Sequence, residues 1–285
     1  MPVKLLRLGF TETTLLFIYW CKKYKNIKFK EMKNTFTKWL YTTSGYYDKT
    51  MNGNYFDVIH NDKDPEVYIK YLNILLTFLK NSDNLSLFIH RFNDENKIVC
   101  ENKNILQLKE EFKEYFNYKD FGYLPKEKIF NFISNKNLLI LSPFSSLVKQ
   151  QIDSGNCKKI YENFPDINNI ICYQNIYTFF NNGPHHNILE TCEILFNEIK
   201  QTIDINSFDS VLISCGAYSC LFAEKFFNLE NKNVCTIGGE LHDLFGIMNN
   251  RNRNNITINQ EYWIQNIPDE YKPEGYMKIE DGCYW

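Results

Sequence analysis

Between Phe208 and Gly246 the chain passes twice from a short apolar run into a glycine turn, and this repetition narrows its folding options more than any other stretch. Val211-Leu212-Ile213 runs into Ser214-Cys215-Gly216-Ala217-Tyr218-Ser219. A stretch bearing alanine and phenylalanine follows, and a second apolar run ends in Gly238-Gly239. A short run that is apolar throughout suits a parallel strand covered on both faces. Gly216 lets the backbone turn with no Cβ in the way, and Leu221, Phe222, Phe226 and Leu229 then recur at helical spacing. The order strand, turn, helix, strand, turn is half of a nucleotide-binding type of sheet.

In an open α/β sheet the ligand crevice lies beyond the carboxyl ends of the strands, where Ser214 to Ser219 and Gly238 to Asp243 both fall. The helix starting near Ala217 offers backbone N–H groups and the positive end of its dipole to a phosphate or carboxylate. The plainer alternative is that both turns only connect elements. Gly216, Ser219, Gly238 and Gly239 do not satisfy G-x-G-x-x-G, so a dehydrogenase using NAD has little support.

The rest of the chain extends the same pattern. Lys4 to Leu8 reads as a first strand, with Thr11 capping a helix that carries Leu15, Leu16, Tyr19 and Trp20. Tyr41 to Asp64 has the composition of a long loop. A helix follows over Pro65 to Lys80, a strand over Leu85 to Ile89, and helices over Ile105 to Phe116 and Lys126 to Ser134. Leu138 to Leu141 is a buried strand ending at Ser142-Pro143-Phe144-Ser145-Ser146, before a helix from Leu147 to Ile152. Ile170 to Tyr173 supplies another strand and Ile188 to Ile203 an amphipathic helix. Repeated switching between strand and helix predicts an α/β fold: a Rossmann-like, mostly parallel sheet flanked by helices, in one domain spanning residues 1–285.

A net charge of −2 removes the electrostatic case for nucleic acid or an anionic membrane as partner. Leu5 to Trp20 is interrupted by Arg7, Glu12 and threonines, which argues against a secretory leader, and no apolar run is long enough to cross a bilayer. The expected location is cytoplasmic. Nine cysteines, an odd number with no C-x-x-C pair, suit a reducing compartment better than a disulfide framework or a zinc site.

Four polar residues are candidates for chemistry. Glu12 lies one turn beyond the first strand, close to Arg7 and Gly9, although a glutamate there is also ordinary helix-start chemistry. Glu240, His242 and Asp243 follow the second glycine turn, where any of them would take a proton as general base or else cap a short helix. His185-His186 points in two directions on a helix, so capping or substrate contact fits better than a metal pair. The stretch Glu280 to Trp285 is too aromatic to be a frayed tail and is expected to dock.

Set side by side, several blocks resemble a known family over nearly the full length. Arg7-Leu8-Gly9-Phe10-Thr11-Glu12 resembles the R-x-G-x-x-E start of proteins related to GT-D glycosyltransferases. Leu139 to Phe144 with Gln150, Phe208 to Tyr218, Thr236 to Ile247, Glu261-Tyr262-Trp263 and the final Gly282-Cys283-Tyr284-Trp285 resemble later blocks in the same order. The resemblance implies a Rossmann-like enzyme that moves a sugar from a nucleotide diphosphate sugar of the UDP type to a hydroxyl of a glycan or other acceptor. It implies Arg7, Gly9, Ser142, Ser214, Gly216, Ala217, Tyr218, Ser219, Gly238 and Gly239 as donor-binding residues, with Glu12 on a Mn or Mg ion. The family's first motif carries an acidic pair, D-x-E, and here Phe10 replaces the aspartate. Cys220, Phe222 and the Glu240, His242, Asp243 group also depart from the pattern. The alternative is an inactive nucleotide-binding or scaffold protein of the same fold.

Overall fold

Six apolar runs become strands among the described residues: β1 (Lys4–Arg7), β2 (Asn84–Ser86), β3 (Asn137–Leu141), β4 (Asn169–Tyr173), β5 (Ser210–Ile213) and β6 (Asn233–Thr236). All pair in parallel, in the order β2-β1-β6-β5-β3-β4. The computed structural model describes residues 2–26, 66–80, 82, 84–87, 105–117, 122–178, 185, 188–278 and 280–285. The loop expected over Tyr41 to Asp64 and the second histidine of His185-His186 lie outside them.

The strands are apolar on both sides because each side faces a separate core. Leu6, Leu139, Leu141, Val211, Ile213 and Val234 point to one face. Leu5, Leu138, Ile140, Leu212 and Cys235 point to the other. This strict alternation follows from the two-residue period of a strand, and each buried aliphatic side chain contributes about 1.5–3 kcal/mol.

Helices α1 (Phe10–Lys25), α2 (Glu66–Leu79), α3 (Ile105–Phe116), α7 (Ile188–Thr202) and α8 (Tyr218–Glu230) cover the first face. Helices α4 (Lys126–Ile133), α5 (Ser145–Asp153), α6 (Asn156–Ile160) and α9 (Glu240–Leu244) cover the second. The result is the Rossmann-like three-layer α/β/α arrangement that the alternating pattern predicts.

Two local expectations change. The first helix begins one residue before Thr11, with Gly9 in the N-cap position and no side-chain cap, so Thr11 lies inside the first turn. Thr13 and Thr14 instead donate their hydroxyls back to the Gly9 and Phe10 carbonyls at 2.7 and 2.8 Å. The strand expected over Leu85 to Ile89 starts one residue earlier, at Asn84, and pairs with β1 as far as Ser86; Phe88 and Ile89 lie outside the described residues.

The aromatic stretch Glu280 to Trp285 docks on the second face, as expected. Trp285 is buried against Phe144 and Tyr177 and donates its indole N–H to the Tyr271 carbonyl at 2.6 Å. Backbone bonds from Asn250 to Trp285 and from Arg251 to Cys283 fasten it along its length.

Candidate functional site

Because the sheet is wholly parallel, every strand delivers its carboxyl end to the same edge. The neighbours β1, β6, β5 and β3 bring there Arg7 to Glu12, Gly238 to Asp243, Ser214 to Ser219, and Ser142 to Phe144. From β1 the chain leaves into α1 on one face, and from adjacent β6 it leaves into α9 on the other. Such a reversal opens a crevice between two strand ends, the usual ligand position in sheets of this kind.

The turn after β5 is closed largely upon itself. Gly216 takes φ +57, and Tyr218 and Ser219 donate their N–H groups to the Cys215 and Gly216 carbonyls. The Ser219 hydroxyl accepts from the Cys215 N–H at 2.9 Å. Tyr218 turns inward and donates its hydroxyl to Thr178 at 2.9 Å, while Tyr71 reaches the Ala217 carbonyl at 3.4 Å. Cys215 and Cys220 are buried small residues whose thiols are pushed far up by burial, which leaves them as neutral thiols. Ser214 looks the other way and donates to the Gly238 carbonyl at 2.8 Å, tying the two glycine turns together.

The turn after β6 gathers the charged groups. Gly238 has φ +56, and a Cβ there would overlap the Arg7 guanidinium, so its lack of a side chain is what lets Arg7 lie on the turn. The Tyr123 ring stands 5.6 Å from the guanidinium carbon, in the range of a cation–π contact. Glu240 sits beside Arg7, largely buried, with one carboxylate oxygen outside any hydrogen bond. Burial, followed by the Asp243 charge, raises its pKa from 4.5 to about 7, while Arg7 and the Leu124 backbone N–H oppose the rise. On the far side of the turn, the Arg251 guanidinium and the Tyr284 ring would lie 3.0 and 3.1 Å from a Cβ on Gly239.

The other candidates separate from Glu240. His242 is buried on the second face, edge-on to Phe144 at 4.5 Å between ring centroids. Neither ring nitrogen meets a partner at hydrogen-bond geometry, and burial lowers its pKa to about 4 although the nearby Gly239 backbone favours protonation. Asp243 is exposed and accepts from the Asn252 amide at 2.7 Å, while its carbonyl accepts from the Tyr161 hydroxyl. Ser142 is buried and accepts from the Phe144 N–H at 3.1 Å. Glu12 folds its carboxylate back over Gly9, which is close enough that a Cβ there would collide with it.

No family model, curated protein or solved structure matches the chain. Its chemistry has to be read from its own geometry. Among the described residues, no three His, Cys, Asp or Glu side chains converge as a metal cluster.

Periodicity could not point to Tyr123, the Leu124 N–H or Arg251, which reach the crevice from more than 100 residues away from one strand end or from the segment after α9. The available signal was indirect: the aromatic stretch at Glu280 to Trp285 docks, and so carries Tyr284 to the second glycine turn.

Proposed function

We propose that the chain is a glycosyltransferase, moving a sugar from a nucleotide diphosphate donor of the UDP type to a hydroxyl acceptor. The observation that carries the reading is that the Gly238 turn, at the switch between β1 and β6, brings the Arg7 guanidinium and the Glu240 carboxyl into one crevice, near enough for the Arg7 charge to act on Glu240. A fixed guanidinium is suited to offset charge on a departing diphosphate. A carboxyl group that titrates near neutrality is suited to accept the acceptor's proton at working pH. Support also comes from the resemblance of Arg7 to Glu12 and of the later blocks to the GT-D group.

In this reading Ser214, Gly216 and the start of α8 line the donor side, and Arg7 meets the leaving diphosphate. Glu240 takes the base role, since His242 is enclosed against Phe144 and Asp243 is engaged by Asn252. Alignment of acceptor and donor supplies most of the remaining acceleration. A divalent ion on a diphosphate needs one or two protein carboxylates besides the phosphate oxygens. Glu12 supplies one, Phe10 supplies none, and every step above runs through the chain's own residues.

Calorimetry with a panel of nucleotide sugars, with and without manganese, tests the reading. Saturable binding is expected, together with transfer that falls about 100-fold or more in Glu240→Gln, the usual scale for losing a general base. Absence of binding by every donor, or Glu12→Ala and Glu240→Gln variants that turn over like wild type, would sink it. Phe10 in place of an acidic residue favours a second reading, a nucleotide-binding protein without transfer. That version predicts donor binding with no product at any metal concentration.

A further inference from the structure

The sheet ends in two strands that are protected very differently. β2 is three residues long, and its Leu85 and Ser86 are buried. β4 is five residues long, half-exposed from Ile170 to Tyr173, and contains neither a charge nor a proline. Short length, charges and prolines are common means by which an outer strand discourages further pairing. β4 relies on none of them.

The backbone of β4 alternates between its neighbour and the open side. The Asn169 N–H donates to the Lys136 carbonyl at 3.4 Å, and the Tyr173 carbonyl accepts from the Ser142 N–H at 3.2 Å. Odd-numbered residues therefore turn to β3, and Ile170 and Cys172 turn their N–H and C=O groups outward. Among the described residues, nothing pairs with them on that side. The side chains are apolar on both faces, with Ile171 and Tyr173 packed on the first core and Ile170 and Cys172 on the second. Helix α5 packs along the strand on the second face, where the Cys172 thiol donates to the Ser145 carbonyl at 3.2 Å. This helix carries Lys149 and Asp153, an exposed ion pair at 2.7 Å, and the charges of both reach Cys172.

We infer that β4 is a dimer seam, pairing antiparallel with β4 of a second copy about a two-fold axis perpendicular to the sheet. Ile170 of each copy exchanges N–H···O bonds with Cys172 of the other, and two six-stranded sheets become one. A two-fold contact has to be self-complementary. The axis sets the two α5 helices antiparallel and side by side, roughly 8–10 Å apart, and Lys149 of each then meets Asp153 of the other. An unrelated strand would satisfy the same backbone groups, but opposite charges one turn apart on α5 suit an antiparallel copy of that helix. β5 and β3 separate β4 from β6, so the seam leaves the crevice open.

Sedimentation equilibrium on the full chain tests the seam. At about 100 µM, a mass of twice 34.0 kDa is expected. Lys149→Asp and Asp153→Lys each put like charges across the axis and should weaken the dimer about 10-fold or more. Mixed together, the two variants should associate as tightly as wild type, because each supplies the charges that the other lacks. The ion pair within one helix cannot produce that rescue. Ile170→Pro, which removes an outward N–H and leaves the bonds to β3 intact, should abolish the dimer. A single-chain mass for wild type at that concentration, or a mixture no more associated than its components, overturns the proposal. So does a dimer that persists in Ile170→Pro.

Discussion

The two glycine turns end neighbouring strands, carry nearly identical positive φ angles of +57 and +56, and share a hydrogen bond, yet they use their polar groups differently. Around Gly216 the N–H groups of Cys215, Tyr218 and Ser219 are satisfied by the turn itself and by one serine. Around Gly238 the polar partners come from distant parts of the chain: Arg7 from β1, the Leu124 N–H from before α4, and Arg251 from beyond α9. The first turn is a local structural device. The second is an assembly point, whose charge balance depends on the whole fold being in place.

The largest effect should separate them by substitution. Gly238→Ala forces a left-handed alanine and drives its methyl into Arg7, and a loss of about 3 kcal/mol is expected from strain and displacement together. Gly216→Ala incurs the conformational penalty, roughly 1–2 kcal/mol, at an exposed position. Urea unfolding of the two variants measures the difference. Equal losses would mean that Arg7 does not depend on the bare Gly238 turn.

The second effect is one of pH, and it contrasts Glu240 with His242. Glu240 has its folded pKa raised from 4.5 to about 7, so the folded protein holds its proton more tightly than the unfolded chain. That contribution is complete below pH 4.5 and is lost as pH rises through 7, by about 3 kcal/mol. His242 has its folded pKa lowered from 6.5 to about 4, so its contribution is complete above 6.5 and is lost as pH falls through 4, by a similar amount of about 3 kcal/mol. Between 4.5 and 6.5 the two slopes oppose each other, and wild-type stability should be nearly level there. Glu240→Gln should make stability rise across that window, and His242→Leu should make it fall. Parallel profiles for wild type and both variants would show that neither group is buried as described.

The smallest effect concerns the link between the turns. Ser214→Ala removes the 2.8 Å bond to the Gly238 carbonyl and should cost about 1 kcal/mol. If the turns also cooperate in donor binding, its affinity loss should exceed that of Gly216→Ala, which calorimetry would show.

Much of the fold could be read from local pattern. The runs at Leu138 to Leu141 and Val211 to Ile213 are apolar at every position because two cores compete for them, and that signature survives in any sequence window. Their order could not be read in this way. β6, the last strand, is inserted beside β1, with a register of Leu5 against Cys235 that depends on contacts some 230 residues apart. The candidate site divides along the same line. Gly216, Gly238 and Glu240 were visible as residues following strands. The burial of His242 was not, because it depends on Phe144 at the end of β3 and on the docked aromatic stretch around Trp285.

The separation of the two cores by the sheet also provides a built-in optical probe. Trp20 is buried on the first face, Trp285 on the second, and Trp263 in a small satellite cluster with Met248 and Ile256. Single-tryptophan variants would therefore emit from one layer at a time. Comparing their fluorescence during denaturation would reveal whether the two sides of the sheet loosen together or in succession, with no label attached to the protein.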